Sequence, residues 1–382
     1  MHHLDPTPGH STPRHASAKS ISAAVLETLR PHAGHEFTAA GIHVQVGSES
    51  ASRALGHLGD DRPELATPQT MFDVASITKI ATMSSVLSLI AKRKFSLDST
   101  VHYLLPEFSS RDADRITVRH LLSHTSGLPA SIGSLASAGP DADSRWAAFH
   151  QDPWGVVLAG QCVAEPGTRV IYSDIGYLLL GRIIEKVTGQ NLATALLKLL
   201  PGPNPHHGIQ FGSGSNSPCT HDPMEVLPTH DLVHDPKSRF LGGVTGAAGM
   251  FATPEAIGNL ARSFLRPAYG LHCKLINEAV TERASTNGVR FGLGWELRTT
   301  LPHWPEEPFD PSSFGSQGHT GSIVWADPTR DLVVVILTNG IHHGNSVSHD
   351  GALTKVLSEA TCRAVTLYDQ SLSAGRSDGL SA

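Results

Sequence analysis

The placement of the strand-forming segments constrains this chain more than any other feature. Near the C-terminus, GSIVWADP (321–328) runs into DLVVVILTN (331–339) through the turn residues DPTR, so the two form an antiparallel hairpin. FGLGWEL (291–297) reads as a third strand in the same region. At the other end, GIHVQVGS (41–48) alternates in the manner of a half-buried strand, and RALGHLG (53–59) gives another. Between them lie helical patterns: the apolar centre of 70–94, free of Gly and Pro; 172–189, with Asp174 placed to N-cap and Gly189 to end it; and 248–265. ISAAVLETLRPH (21–32) and ALTKVLSEATCRAVTLY (352–368) read as terminal helices. The pattern predicts an α/β fold in which segments from both ends build one antiparallel sheet flanked by helices, with a mostly helical block inserted. Residues 21–75 and 285–370 are assigned to the α/β subdomain and 76–284 to the helical one. Residues 1–20 and 371–382 read as loose tails. Segments 130–155 and 201–240 read as irregular.

Composition narrows the partners. Of 382 residues, 40% are apolar and 17% charged, which supports a sizeable core and excludes wholesale disorder. A net charge of −6 without a basic block argues against nucleic acid. No window approaches the ~18 apolar residues of a membrane span. The polar first twenty residues hold no apolar leader core, so a cytoplasmic protein is expected. Cys162, Cys219, Cys273 and Cys362 lack CxxC spacing and read as reduced thiols. The 23 histidines include His206–His207 and His342–His343, with His349 nearby, but there is no HExxH and no carboxylate cluster at ligand spacing. No metal and no cofactor is expected.

The candidate nucleophile is Ser76. Lys79 lies three residues on, on the same helix face, and could take the serine proton if burial lowered its pKa. Tyr172, in a loop before a helix, could relay protons. Asp174 follows it. His319-Thr320-Gly321-Ser322 opens a strand, where Gly321 would let a ligand approach the backbone and the Ser322 amide could join the Ser76 amide as an oxyanion donor. Trp154 and Trp295 are candidate apolar walls. HLLSHTSGLP (120–129) suggests no chemistry of its own.

Taken together, FDVASITKIAT, HLLSHTSGLP, EPGTRVIYSDIGYLLLGRIIEKVTG, GLGW, GHTGS and DLVVVILTN resemble the serine beta-lactamase and penicillin-binding-protein superfamily. They resemble most its class C beta-lactamase-like branch, with family VIII carboxylesterases and acyltransferases. The resemblance spans about residues 70–340. It implies an acyl-enzyme on Ser76, with Lys79 and Tyr172 moving the proton and a small-molecule acyl donor as partner. Two positions depart from the family pattern: His319 stands where Lys is usual, and Asp174 where Asn is usual. Both weaken a reading as beta-lactamase or D,D-peptidase, because carboxylate-bearing substrates would lose a cation and meet an anion. Neutral esters, amides or thioesters fit better. The alternatives are an acylatable penicillin-binding or sensor-type module with slow turnover, or a true beta-lactamase or D,D-peptidase.

Overall fold

The computed structural model describes residues 16–132, 142–202, 207–214, 217–218, 220, 231–266, 271–299, 308–347 and 351–377. His206, Cys219, His349, the first fifteen residues and much of the 201–240 segment lie outside these. The strands, in chain order, are β1 (Ala39–Val46), β2 (Glu49–Gly59), β3 (Arg62–Leu65), β4 (Phe72–Asp73), β5 (Ile209–Phe211), β6 (Met250–Ala252), β7 (Ala284–Thr286), β8 (Val289–Phe291), β9 (Glu296–Leu297), β10 (Phe314–Gly318), β11 (Ser322–Asp327) and β12 (Leu332–Thr338). Among the described residues nine of them form one antiparallel sheet, ordered β3-β2-β1-β12-β11-β10-β9-β8-β7. A small second sheet is ordered β4-β6-β5.

The sheet joins the two ends of the chain. β1 pairs with β12, Ile42 opposite Ile336, and the expected β11–β12 hairpin is present. β12 is apolar from Leu332 to Leu337 because both its faces are covered. Leu332, Val334 and Ile336 pack with the helices Ala18–Leu29 and Ala352–Ser377, together with Ile42, Val44 and Trp325. Val333, Val335 and Leu337 face the other way, into the core shared with the helical block. The helix Pro254–Leu265 lies on that second face, against β1 and β12. Asn339 locks the central pair: its Oδ1 accepts the Thr38 and Ala39 N–H groups and its Nδ2 donates to Thr38 Oγ1.

Four sequence expectations need correction. FGLGWEL is two short strands, β8 and β9, separated by Gly292–Trp295. Segment 130–155 contains the helices Ala142–Gln151 and Pro153–Leu158, the second capped by Asp152, whose side chain accepts the Gly155 N–H. The first, ADSRWAAFHQ, lacks a continuous apolar stripe, and the second, PWGVVL, is only six residues long, too short to show a helical period, which is why periodicity misses them. The first helix begins at Ala18, inside the expected tail, and the last runs on to Ser377. The N-cap of 174–188 is Ser173, not Asp174: Ser173 Oγ accepts the Gly176 N–H, which frees the Asp174 carboxylate for other partners. Among the described residues no helix is long and apolar enough to cross a membrane.

Candidate active site

Ser76 is set by a strained turn. Asp73 ends β4, and one carboxylate oxygen accepts the Ala75 N–H at 2.8 Å. Ala75 takes φ +44°, a left-handed value that costs a residue with a Cβ about 1–2 kcal/mol. The chain then makes a 3-10 turn, Ala75–Ile77, and enters the helix Thr78–Ala91. Thr320 Oγ1 donates to the Asp73 carbonyl at 2.7 Å, which ties the turn to the β10–β11 loop. Gly318 makes that approach possible, since a Cβ there would sit 2.3 Å from the Val74 carbonyl.

Lys79 Nζ donates to Ser76 Oγ at 3.0 Å and pairs with Asp174 Oδ1 at 2.9 Å. Its side chain is 3% exposed. Burial alone would lower its pKa; the Asp174 carboxylate and the Tyr172 oxygen outweigh that and lift it above the ordinary lysine value. Burial likewise opposes the Asp174 carboxylate, but Lys79 and Lys237 beside it hold its pKa well below the usual range. Lys237 reaches Asp174 Oδ2 at 3.1 Å and Asp235 at 3.4 Å. Against the neutral amine expected from the sequence, the Asp174 carboxylate favours the ammonium form of Lys79 here.

The segment around HLLSHTSGLP positions Tyr172. Ile171 N–H donates to the His124 carbonyl, Ser173 N–H to His124 Nδ1, and Asp174 N–H to the Ala130 carbonyl. Ser173 Oγ donates to the Pro129 carbonyl at 2.6 Å. The His124 ring lies against that of Tyr172, tilted by 31° with centroids 4.4 Å apart, and Lys79 Nζ lies 4.7 Å from the Tyr172 ring centroid. Two elements thus aim the phenol at the lysine. Sequence reasoning gave His124 no role. Burial, aided by the nearby Lys79 cation, pulls its pKa down to about 3. The unfolded chain therefore binds a proton that the folded one refuses, so stability falls as pH drops below about 6.5. Between pH 6.5 and 5 this one ring contributes a loss of about 2 kcal/mol. His124 has φ +59°, which Asn tolerates. In urea titrations His124→Asn is expected to lose markedly less stability between pH 7 and 5 than wild type; an unchanged difference would mean the ring is not the acid-sensitive group.

A cleft of about 570 Å³ gathers Ser76, Tyr172, Asp174, Lys237, His234 and His319. Lys237 and His234 are additions to the sequence-derived set. Asp73 Oδ2 accepts the His234 N–H at 2.7 Å, so the same carboxylate that fixes the Ser76 turn also fixes the segment carrying Lys237. His319 stands exposed at the mouth, its ring 5.7 Å from that of His234. Other expectations shift. Thr320 is fully buried, facing Asp73 rather than the cleft. Gly321, at φ +102°, makes room for Thr338 Oγ1 rather than for a ligand, since a Cβ there would lie 2.2 Å from it. Ser322 opens β11 opposite Gly318, with its side chain buried. Trp295 is 1% exposed and packs edge-on to Phe264 and Phe314 in the core. Trp154 packs on the core under the Arg182 guanidinium. Neither tryptophan is among the residues that line the cleft.

Several known proteins are similar to this chain in sequence or in fold. A protein of Escherichia coli strain K12 that carries a provisional D-alanyl-D-alanine carboxypeptidase name is 27% identical over 329 residues, 77% of this chain and 74% of its own. The N-acetylmuramyl-L-alanine amidase of Bacillus subtilis strain 168 is 29% identical over 313 residues, covering 74% and 70%. In structure, the chain is similar to EstCE1, a hydrolase with promiscuous acyltransferase activity: TM-score 0.73, 18% identity, covering 90% and 99%. It is also similar to the simvastatin synthase LovD of Aspergillus terreus: TM-score 0.69, 19% identity, covering 92% and 98%. The Beta-lactamase family model matches residues 21–357, and the chain belongs to that family, whose serine hydrolases and acyltransferases share this α/β fold.

Proposed function

We propose that the chain is an esterase or transacylase that carries an acyl group on Ser76 and acts on a small neutral ester, amide or thioester. The observation that carries this reading is the line Ser76 Oγ, Lys79 Nζ, Asp174 Oδ1, at 3.0 and 2.9 Å, inside a cleft sized for one small metabolite. With Lys79 beside it, the Tyr172 hydroxyl relays the Ser76 proton: its oxygen takes that proton as Oγ attacks the carbonyl, and its own O–H proton passes on. The ammonium stabilises the anion formed at each stage. The amides of Ser76 and Ser322 hold the developing oxyanion, where losing one donor typically costs ~10²–10³ in rate. Tyr172 returns the proton to the leaving group, and water, an alcohol or an amine then releases the acyl group by the same steps reversed.

Charge balance favours neutral substrates. The ammonium groups of Lys79 and Lys237 are matched by the carboxylates of Asp174 and Asp235, so Asp174 is not the bare anion that its position in the sequence implied. One observation supports a second reading, cleavage of a peptide bearing a terminal carboxylate: Lys237 supplies a cation that the His319 strand lacks. It ranks second because two carboxylates already hold that cation. A panel of short p-nitrophenyl esters, D-Ala-D-Ala peptides and penicillins, each with and without alcohol or amine acceptors, separates the readings. The neutral esters are expected to be cleaved at least tenfold faster, in kcat/KM, than the carboxylate-bearing substrates. The reverse ranking would establish the peptidase reading.

A further inference from the structure

Away from the cleft, two adjacent histidines and an aspartate converge where nothing in the acyl-transfer chemistry requires them. Asp60 sits in the turn between β2 and β3. His342 and His343 lie in the 3-10 turn Gly340–His343 that follows β12. One donor atom from each falls within 4.8 Å of the others. His342 Nε2 is 3.3 Å and His343 Nε2 3.5 Å from Asp60 Oδ2.

The hydrogen bonding leaves this group unfinished. The His342 side chain is nine-tenths buried, yet neither of its ring nitrogens has a hydrogen-bond partner among the described residues. A buried polar group in that state costs about 1–3 kcal/mol. His343 Nδ1 lies 3.1 Å from the His35 carbonyl, which can only accept, so Nδ1 carries the proton there. A neutral His343 then presents the Nε2 lone pair to the Asp60 carboxylate, two acceptors face to face. A cation placed between the three atoms resolves the contacts at His342 Nε2, His343 Nε2 and Asp60 Oδ2.

We propose that Asp60, His342 and His343 bind one divalent transition-metal ion of the zinc class. Two imidazole nitrogens and one carboxylate suit Zn²⁺, Ni²⁺ or Cu²⁺ and not Mg²⁺ or Ca²⁺. Tetrahedral Zn²⁺ with bonds of about 2.0–2.1 Å sets its ligand atoms about 3.3–3.4 Å apart, close to the two separations seen. The His343 Nδ1–H bond to a backbone carbonyl is the outer contact that fixes a metal-binding imidazole in its tautomer. Asp60 is 74% exposed, so solvent water has access to the fourth position. The ion is a clamp, not a catalyst. It joins the β2–β3 edge hairpin to a turn whose Ile341 N–H donates to the Thr320 carbonyl, and Val347 N–H, just beyond, donates to the His319 carbonyl.

The test uses the full-length chain stripped with EDTA and titrated with Zn²⁺ by calorimetry. Asp60→Asn and the double variant His342→Gln/His343→Gln are measured beside it. Because other histidines bind zinc adventitiously, the readout is the difference between proteins. Wild type is expected to bind one more equivalent than the double variant, and Asp60→Asn to bind that equivalent at least tenfold more weakly. Zn²⁺, but not Ca²⁺, should raise the wild-type Tm without raising that of the double variant. Asp60 is exposed in a turn, so its Asn variant keeps the fold and the comparison holds even if the double variant is unstable. Equal stoichiometry and affinity in wild type and Asp60→Asn, or an equal response to Ca²⁺, would overturn the site.

Discussion

Ser76→Ala is expected to abolish covalent labelling by a fluorophosphonate probe and to lower ester turnover on the order of a million-fold, the scale found when a serine nucleophile is removed. The variant loses only the oxygen that Lys79 Nζ contacts. The Lys79–Asp174 and Asp174–Lys237 pairs remain, so no buried charge is stranded. Its Tm should therefore match that of wild type within a degree or two. Intact-mass spectrometry of protein quenched during turnover should show the acyl adduct on wild type and none on the variant. Undiminished turnover by Ser76→Ala would remove the proposed mechanism altogether. Stoichiometric labelling of wild-type Ser76 without turnover of any ester would instead favour an acylated sensor.

The second large effect belongs to Tyr172→Phe. The substitution deletes one hydroxyl and keeps the ring that lies against His124 and borders the Lys79 ammonium. If the phenolic oxygen moves the proton, kcat falls by ~10²–10⁴ with KM changed by only a few-fold, because proton transfer belongs to the transition state and not to binding. Asp174 favours the ammonium form of Lys79, which opposes the lysine taking over as base. Near-wild-type kcat would mean that Lys79 sheds its proton in the substrate complex and serves as the base. A rise in KM at unchanged kcat would reduce Tyr172 to a binding residue.

What the sequence disclosed follows its range of reach. Ser76 and Lys79 are legible because i and i+3 share a helix face, and the hairpin at 321–339 is legible because two apolar runs flank a turn. The Lys79–Asp174 pair is not. Its members lie 95 positions apart, and Asp174 follows a serine equally able to cap the helix, so the cap was assigned to the wrong neighbour. Lys237 carries no local signal at all, sitting in a five-residue helix at the end of a Pro- and His-rich segment. His124 lay inside a phrase singled out for its resemblance, but its work is done through ring contact and a backbone contact to Ser173, neither visible in one dimension. The two tryptophans failed for the opposite reason: large apolar side chains belong to the core by default, and Trp295 is there.

The pairing of β1 with β12 has a consequence for how the enzyme comes into being. Those strands, held together by Asn339, lie some 300 residues apart in the chain, so the first strand has β2 at hand early and its second neighbour only after residue 332 and beyond are made. The cleft rests on that late union, because the β10–β11 loop carrying His319 belongs to the same sheet. A nascent chain halted before residue 332 holds Ser76 and lacks the central strand against which the β10–β11 hairpin pairs, so the cleft is complete only once β12 is made.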